Sequence, residues 1–420
     1  MQIIVFEDTR VRELQPLVNL KPVYGLYTGF RTLREKLEYF TRDGVQLTYH
    51  LRRYLAAFYE EQHPEAVINR LDERDVLLVN GRLVCNEAAA RVILEGAFEP
   101  GKAYIQDDTL LFARLDGSRL VTDAGGLLPD LFDTVTLADE LVCETVTGFR
   151  VLEHLWDVIA FHPDELLRDA ETLELGRIDG DVHPSVALVN RANIYVGSGA
   201  VVRAGAVLDA EDGFVAIGSG AIVDPQAVLM QNVSFAPWSR AKIGAKIFSN
   251  VAVGVASKVG GEVEDSIIEP FANKQHDGFL GHSYLSSWCN LGAATNTSDL
   301  KNNYSQITLR RQGQSYPTGL QFLGLLMGDH SKSSINSMFN TGTVVGTGSN
   351  IFGGDFPPKE VPSFSWGGCG GFEHYDVEKA VETARKVMER RKVTMSSAYE
   401  AMFRAVADNG AERGTQNSFF

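Results

Sequence analysis

Cysteine is scarce. The four residues in this 420-residue chain, Cys85, Cys143, Cys289 and Cys369, stand far apart with no CxxC pair. That excludes a disulfide framework and a cysteine-based zinc site, and it predicts reduced thiols in a cytoplasmic protein. Positive charge is also in short supply. Lysine and arginine total 39 against 54 aspartates and glutamates, a net charge of −15. A general nucleic-acid binder is excluded, while a local basic site stays compatible with the sum. No apolar run reaches the roughly 20 residues that a membrane span needs. The start, Met1 to Asp8, has no basic region and too short an apolar run for a signal peptide. Heptads, low-complexity tracts and polybasic tails are missing as well. What remains is ordinary for a soluble protein, with 44% hydrophobic and 22% charged residues. The length allows two or three domains and a large core.

What the chain has is a six-residue beat. Aliphatic residues recur at Val182 and Leu188, then Val196, Val202 and Leu208, then Ile217, Val223 and Leu229. Four residues after most of them comes a small or β-branched one: Val186, Ala192, Ala200, Ala206, Ala221, Ala227 and Val233. This is hexapeptide-repeat spacing. A short extended piece points one aliphatic inward, and a small residue lets the chain turn a corner. Three pieces close a triangular coil, and each coil buries its apolar face on the next. Ordinary alternating strands would show a period of two and no small residue at a fixed offset.

The first third reads differently. Ile3 to Phe6 and Val76 to Val79 are all-apolar runs expected as buried strands. Arg31 to Phe40 and Asn86 to Leu94 have helical spacing, the second ending at Gly96. Ala103 to Ile105 and Leu110 to Ala113 resemble paired strands. Such alternation predicts an α/β layer fold, with a ligand crevice at the loops after Phe6 and Val79. Leu152, Leu155, Trp156 and Ile159 fall on one helical face, with a second helix restarting at Pro163-Asp164. This stretch is expected to be a rigid bridge with Trp156 in the core.

The order strand, Asp8-Thr9-Arg10, Pro16-Leu17, Lys21-Pro22 resembles the start of the sugar-1-phosphate nucleotidyltransferases. There a glycine-rich loop ends in Gly-Thr-Arg, followed by Pro-Leu and Lys-Pro. The resemblance implies a Rossmann-like domain in which Arg10 and Lys21 contact phosphate, with a nucleoside triphosphate as partner and Mg2+ as cofactor. Fixed cations there would stabilise the charge that develops on the phosphates. The sequence departs from that pattern at Glu7 and Asp8, which replace glycines and would repel phosphate. It departs again at Asn80-Gly81-Arg82, where the metal-holding aspartate is missing. Glu7, Asp8 and Asp107 are the candidates for a relocated ligand.

From Phe271 to Tyr304 the beat continues (Leu280, Leu285, Leu291), now crowded with His, Asn, Lys and Asp. Polar residues concentrated on one stretch of a solenoid mark a binding face. His276, Phe279-Leu280-Gly281 and Asn290-Leu291-Gly292-Ala293-Ala294-Thr295 resemble the acyltransferase half of the bifunctional N-acetylglucosamine-1-phosphate uridyltransferase/glucosamine-1-phosphate acetyltransferases. A Trp-Asp helix pair before the prism also occurs in that family. The resemblance implies a left-handed β-helix, a homotrimer, and direct acyl transfer from acetyl-CoA to a sugar phosphate. His276 would be the general base, since imidazole titrates near working pH. Backbone N–H groups of Gly292, Ala293 and Ala294 would face the thioester oxygen. Lys274 and Lys301 would hold a sugar phosphate, and Asn290, Asn296 and Asn303 its hydroxyls. Lys332, Ser334 and Thr343, in the later coils, are the candidates for coenzyme A contacts. The family's tyrosine is Phe279 here and its second turn glycine is Ala294, so the acceptor is expected to differ while the base is kept.

Two other readings stand beside this one. His276, His282 and His330 suggest a zinc-dependent carbonic-anhydrase-like hydratase, because neutral imidazoles ligate zinc. Residues six apart, however, lie on different sides of a triangular coil, so within one chain they would not share an ion, whereas a trimer interface would bring them together. A degenerate homologue serving as a scaffold or sugar-nucleotide sensor is the non-enzymatic reading. The tail is expected to leave the prism as a loop over Ser363 to Gly371. One helix from Tyr375 to Ala407 follows, with a frayed end from Gly410. The expected domains are 1–175 nucleotidyltransferase-like, 176–360 left-handed parallel β-helix, and 361–420 loop and C-terminal helix. No nucleic-acid or membrane partner is expected.

Overall fold

The computed structural model describes residues 1–41, 45–121 and 127–416. They form two compact units. The first comprises Met1–Leu26, Arg31–Leu155 and Ser396–Ala405, and the second Tyr27–Phe30, Trp156–Met395 and the residues from Val406 onward.

In the first unit the apolar runs become strands because they can be buried on both faces. Gln2–Phe6 lies parallel to Leu47–Tyr49 on one side and to Asp75–Asn80 on the other. Val67–Ile68 extends the sheet at one edge. Thr109–Asp116 and Lys102–Gln106 add an antiparallel pair, and Val142–Thr145 completes seven strands. Ile4, Phe6, Val76, Leu78 and Ala113 share one core with Phe132. Helix Glu87–Glu95 starts where Asn86 accepts the Ala89 N–H, and it stops at Gly96.

The second unit is a left-handed parallel β-helix of three sheets. One face stacks Asp181–Val182, Val201–Val202, Ile222–Val223, Arg240–Ala241, Lys258–Val259 and Asn273–Lys274. A second stacks the strands from Ala187–Val189 to Phe279–Gly281. The third runs nine strands from Ile194–Val196 to Glu360–Val361. Register puts the beat into columns. On the second face Leu188, Leu208, Leu229, Ile247, Val263 and Leu280 stand in line. Val196, Ile217, Phe235, Val253, Ile268, Leu285, Met327 and Val345 do so on the third. The small residues Ala200, Ala206, Ala221 and Ala227 are fully buried at the corners. Ala192, in the first coil, is exposed.

Several expectations are corrected. Residues 151–156 are not helical. A short helix, Asp157–Ala160, precedes His162–Ala170, whose Leu166 and Ala170 pack on Phe214, Ala216 and Ala252 of the prism. The stretch 156–175 therefore sits with the prism, while Trp156 is buried as expected. The glycine run is no loop. Ser365–Gly368 continues the first face and pairs antiparallel with Gly371–His374. The tail helix is two, Val377–Arg390 and Ser397–Gln416. The helix continues through Gly410, expected to fray, and residues 417–420 lie outside the described residues.

Candidate active site

The prism has three edges, and they separate the three histidines. His276 stands at the turn between the first face (Asn273–Lys274) and the second (Phe279–Gly281). His282 turns the chain from the second face to the third, at Tyr284–Leu285. His330 lies between the third face (Leu325–Met327) and the first (Lys332–Ser333). It is 1% exposed and stacks on Trp288 at 5.9 Å. A zinc site made of these three within one chain is thereby ruled out.

The His276 edge gathers several predicted residues. The Ala294 N–H donates to the Asp277 carbonyl at 3.0 Å, and the Asn336 N–H to the Ala293 carbonyl at 2.8 Å. The His276, Ala293-Ala294 and Ile335-Asn336 turns are thus stacked along one edge, with Ser334 beside them. His276 is exposed, and its ring has no hydrogen-bond partner among the described residues. Asn296 joins the turns: its side chain accepts the Phe279 N–H at 2.9 Å and donates to the Ala294 carbonyl at 3.0 Å.

Lys274 is a correction. It occupies the inward column of the first face, below Val259, where every earlier coil has an aliphatic or alanine. Its buried ammonium donates to the Gly260 carbonyl at 3.0 Å and the His276 carbonyl at 2.6 Å. Burial pushes its pKa down to about 8. It anchors the His276 turn from inside and is not placed to grip a phosphate. The oxyanion turn is corrected too. Gly292 N–H donates to Ser333, and Ala294 N–H to Asp277, so both are engaged between coils. Among the three, the Ala293 N–H alone is not engaged in a hydrogen bond among the described residues.

The coenzyme candidates are scattered. Thr343 faces the core, and its hydroxyl bonds the Asn340 carbonyl at 2.8 Å. Lys332 follows Asn290 in the outward column of the first face and donates to the His330 carbonyl at 2.7 Å. Ser334 bonds Ser337 at 3.3 Å. Asn290 is half-buried on that same face. Lys301 and Asn303 belong to an insertion after Asn296–Thr297, where Lys301 bonds the Gln306 carbonyl at 2.6 Å and Asn303 accepts the Ser305 N–H at 3.1 Å.

A constellation that sequence reading missed lies at the His282 edge. His282 Nδ1 meets the Asp299 carboxylate at 2.9 Å, and Nε2 lies 3.8 Å from Asp265. Glu264, His282 and Asp299 bring three ligand-type atoms within 4.8 Å of one another. Burial first, then the neighbouring carboxylates, raises the Glu264 pKa. The signal was available, since these coils advance about 17 residues, as Phe279 over Glu262 shows. Residues one coil apart, such as His282 and Asp299, stack.

In the first unit the crevice loops fold onto themselves. Glu7 is wholly buried, and its carboxylate accepts from the Val23 N–H at 2.8 Å and from Arg52 Nε at 3.0 Å. Asp8 takes Arg82 at 2.9 Å and Asn80 at 3.0 Å. Arg82 also holds Glu153 at 2.7 Å. The carboxylates expected to repel phosphate are thus neutralised by buried arginines. Arg10 is exposed, 4.0 Å from Glu153, and the Lys21 carbonyl accepts from Arg52 at 2.7 Å. Residues 3–178 match the family described as sugar nucleotidyl transferase.

That match covers the unit's central sheet. The ion such transfer uses does not fit the loops, however. Glu7 and Asp8 are engaged with arginines, Asn80 stands where a carboxylate is needed, and Asp107 sits exposed on a turn. No curated protein matches the chain. Among solved structures it is similar to UDP-N-acetylglucosamine acyltransferase from Campylobacter jejuni, at 13% identity and TM-score 0.25 over 53% of this chain and 95% of that one. The Francisella novicida enzyme gives 14% and 0.23 over 52% and 74%. The Arabidopsis one gives 13% and 0.19 over 56% and 96%.

Proposed function

We propose that the prism transfers an acyl group from a coenzyme A thioester, such as acetyl-CoA, to an amino-sugar phosphate at the His276 edge. The observation that carries this is the stacking of the turn that bears the exposed His276 directly under the Ala293-Ala294 turn. The sugar nitrogen attacks the thioester carbonyl, forming the amide as the C–S bond breaks. His276 takes the proton from nitrogen and passes it to the leaving thiolate. The Ala293 N–H is the donor left for the oxygen that becomes negative. His276→Ala is expected to abolish thiol release from acyl-CoA in a panel of sugar phosphates while leaving the melting temperature unchanged. Unchanged turnover would remove His276 from the reaction.

The same edge exposes Ile243 and Ile335, 69% and 67% accessible, with Met338 on the adjoining face. Apolar side chains exposed along the edge that carries His276 support a site completed by a neighbouring copy. A homotrimer is expected by light scattering, and a monomer at assay concentration would contradict it. For the first unit, the Asp8–Arg82 pair and Asn80 leave these loops without the carboxylate that a magnesium ion needs, which speaks against nucleotidyl transfer. Magnesium-dependent pyrophosphate release from a nucleoside triphosphate and a sugar phosphate is expected to be weak or absent. Robust release would overturn that reading.

A further inference from the structure

The insertion after Asn296–Thr297 builds a pocket that the repeat alone would not. Its hairpin pairs Thr308–Arg311 with Gln314–Pro317. Alternation along the first strand sorts its side chains. Ile307 and Leu309 are wholly buried, while Thr308 and Arg310 face outward. The hairpin turn is fixed where the Gln312 N–H donates to the Glu360 carboxylate at 2.7 Å. Between hairpin and prism lies an open cleft of about 710 Å³ lined by Lys301, Thr308, Arg310, Ser315, Lys359 and Glu360 among others. That is within the usual range for small-molecule sites.

The charge on this lining is unusual for the chain. Three cations converge with one carboxylate, in a protein whose net charge is −15. The carboxylate already serves the hairpin turn. Lys359 is half-buried and donates to Thr341 at 3.2 Å. Burial, then Lys301 and Arg310, lowers its pKa, as expected for a cation crowded by its own kind. Like charges held together on fixed elements are stabilised by an anion between them. Arginine offers a planar fork for phosphate oxygens, and lysine a point charge.

We infer that Lys301, Arg310 and Lys359, with the Thr308 and Ser315 hydroxyls, form a binding site for a phosphate or diphosphate group of a small-molecule ligand. The inference does not rest on acyl transfer, for the pocket lies away from the His276 edge. Inorganic pyrophosphate is the probe, titrated calorimetrically into the full chain at low salt. Wild type is expected to bind it. Arg310→Gln and Lys359→Gln are each expected to weaken binding about tenfold, the loss of one charged hydrogen bond. Arg310 is exposed, so its variant keeps the fold, and unliganded melting temperatures check both. Equal affinity in wild type and both variants, or no binding at all, overturns the site. Coenzyme A, dephospho-coenzyme A and a nucleoside diphosphate sugar identify the source of the phosphate. A preference for coenzyme A over the dephospho form that vanishes in Arg310→Gln assigns a phosphomonoester. Arg310-dependent binding of the sugar nucleotide assigns a diphosphate. His276→Ala should bind pyrophosphate as wild type does, which separates this site from the acyl-transfer reading.

Discussion

A single residue shows how the prism trades stability for position. At Lys274 a cation takes a place in the inward column, where an aliphatic would contribute about 1.5–3 kcal/mol on burial. What it gives instead is two hydrogen bonds, one of them to the backbone of His276. Its pKa falls from 10.5 to about 8, because burial disfavours the charged form. Between those values the unfolded chain binds more protons than the folded one. The contribution to stability is therefore complete above 10.5 and lost as pH falls through about 8. The melting temperature of wild type should rise with pH across that window. Lys332, also held near 8, adds to the same rise, so Lys274→Met alone should lessen it and the double variant with Lys332→Met should remove most of it. A variant with the wild-type slope would show that another group controls it. The beat itself placed Lys274 inside, six residues before Leu280. Its charge made it read as a surface contact, and position prevails because the coil leaves that side chain no other direction.

At the scale of an element, the turns carry the constraint. A Cβ on Gly292 would lie 2.3 Å from the Ser334 carbonyl oxygen of the next coil. The close approach that glycine permits here is between coils and not toward a ligand. Gly292→Ala should destabilise by roughly 1–3 kcal/mol through overpacking, read as a lower melting temperature. An unchanged melting temperature would mean that the turn can shift. Ala294, by contrast, tolerates φ +57 where glycine would be easier. The strands and coils were legible because apolar periodicity is a direct record of burial. The break between the tail helices was not, since Lys392 adopts φ +61 with no glycine or proline to announce it. The hairpin over Ser365 to His374 was hidden by its glycines. They read as a loop, yet Gly367 sits against the Gly371 carbonyl with no room for a side chain.

At the scale of the molecule, contacts between distant segments were the least legible. Residues 27–30 belong with the prism and 396–405 with the first unit, though each is flanked by the other. Nothing local in the sequence records such an exchange. The His282–Asp299 pair was hidden for a milder reason: coil length had to be known before the spacing meant anything. Among the described residues no helix is long and apolar enough to cross a membrane. The last strands of the first face hold a final consequence. A stack of parallel coils offers its terminal edge as a template on which another molecule's coil can dock in register. Gly371–His374 runs the opposite way along Ser365–Gly368. That reversal ends the parallel run on this face, so a second copy's coil cannot extend the first face in the same register.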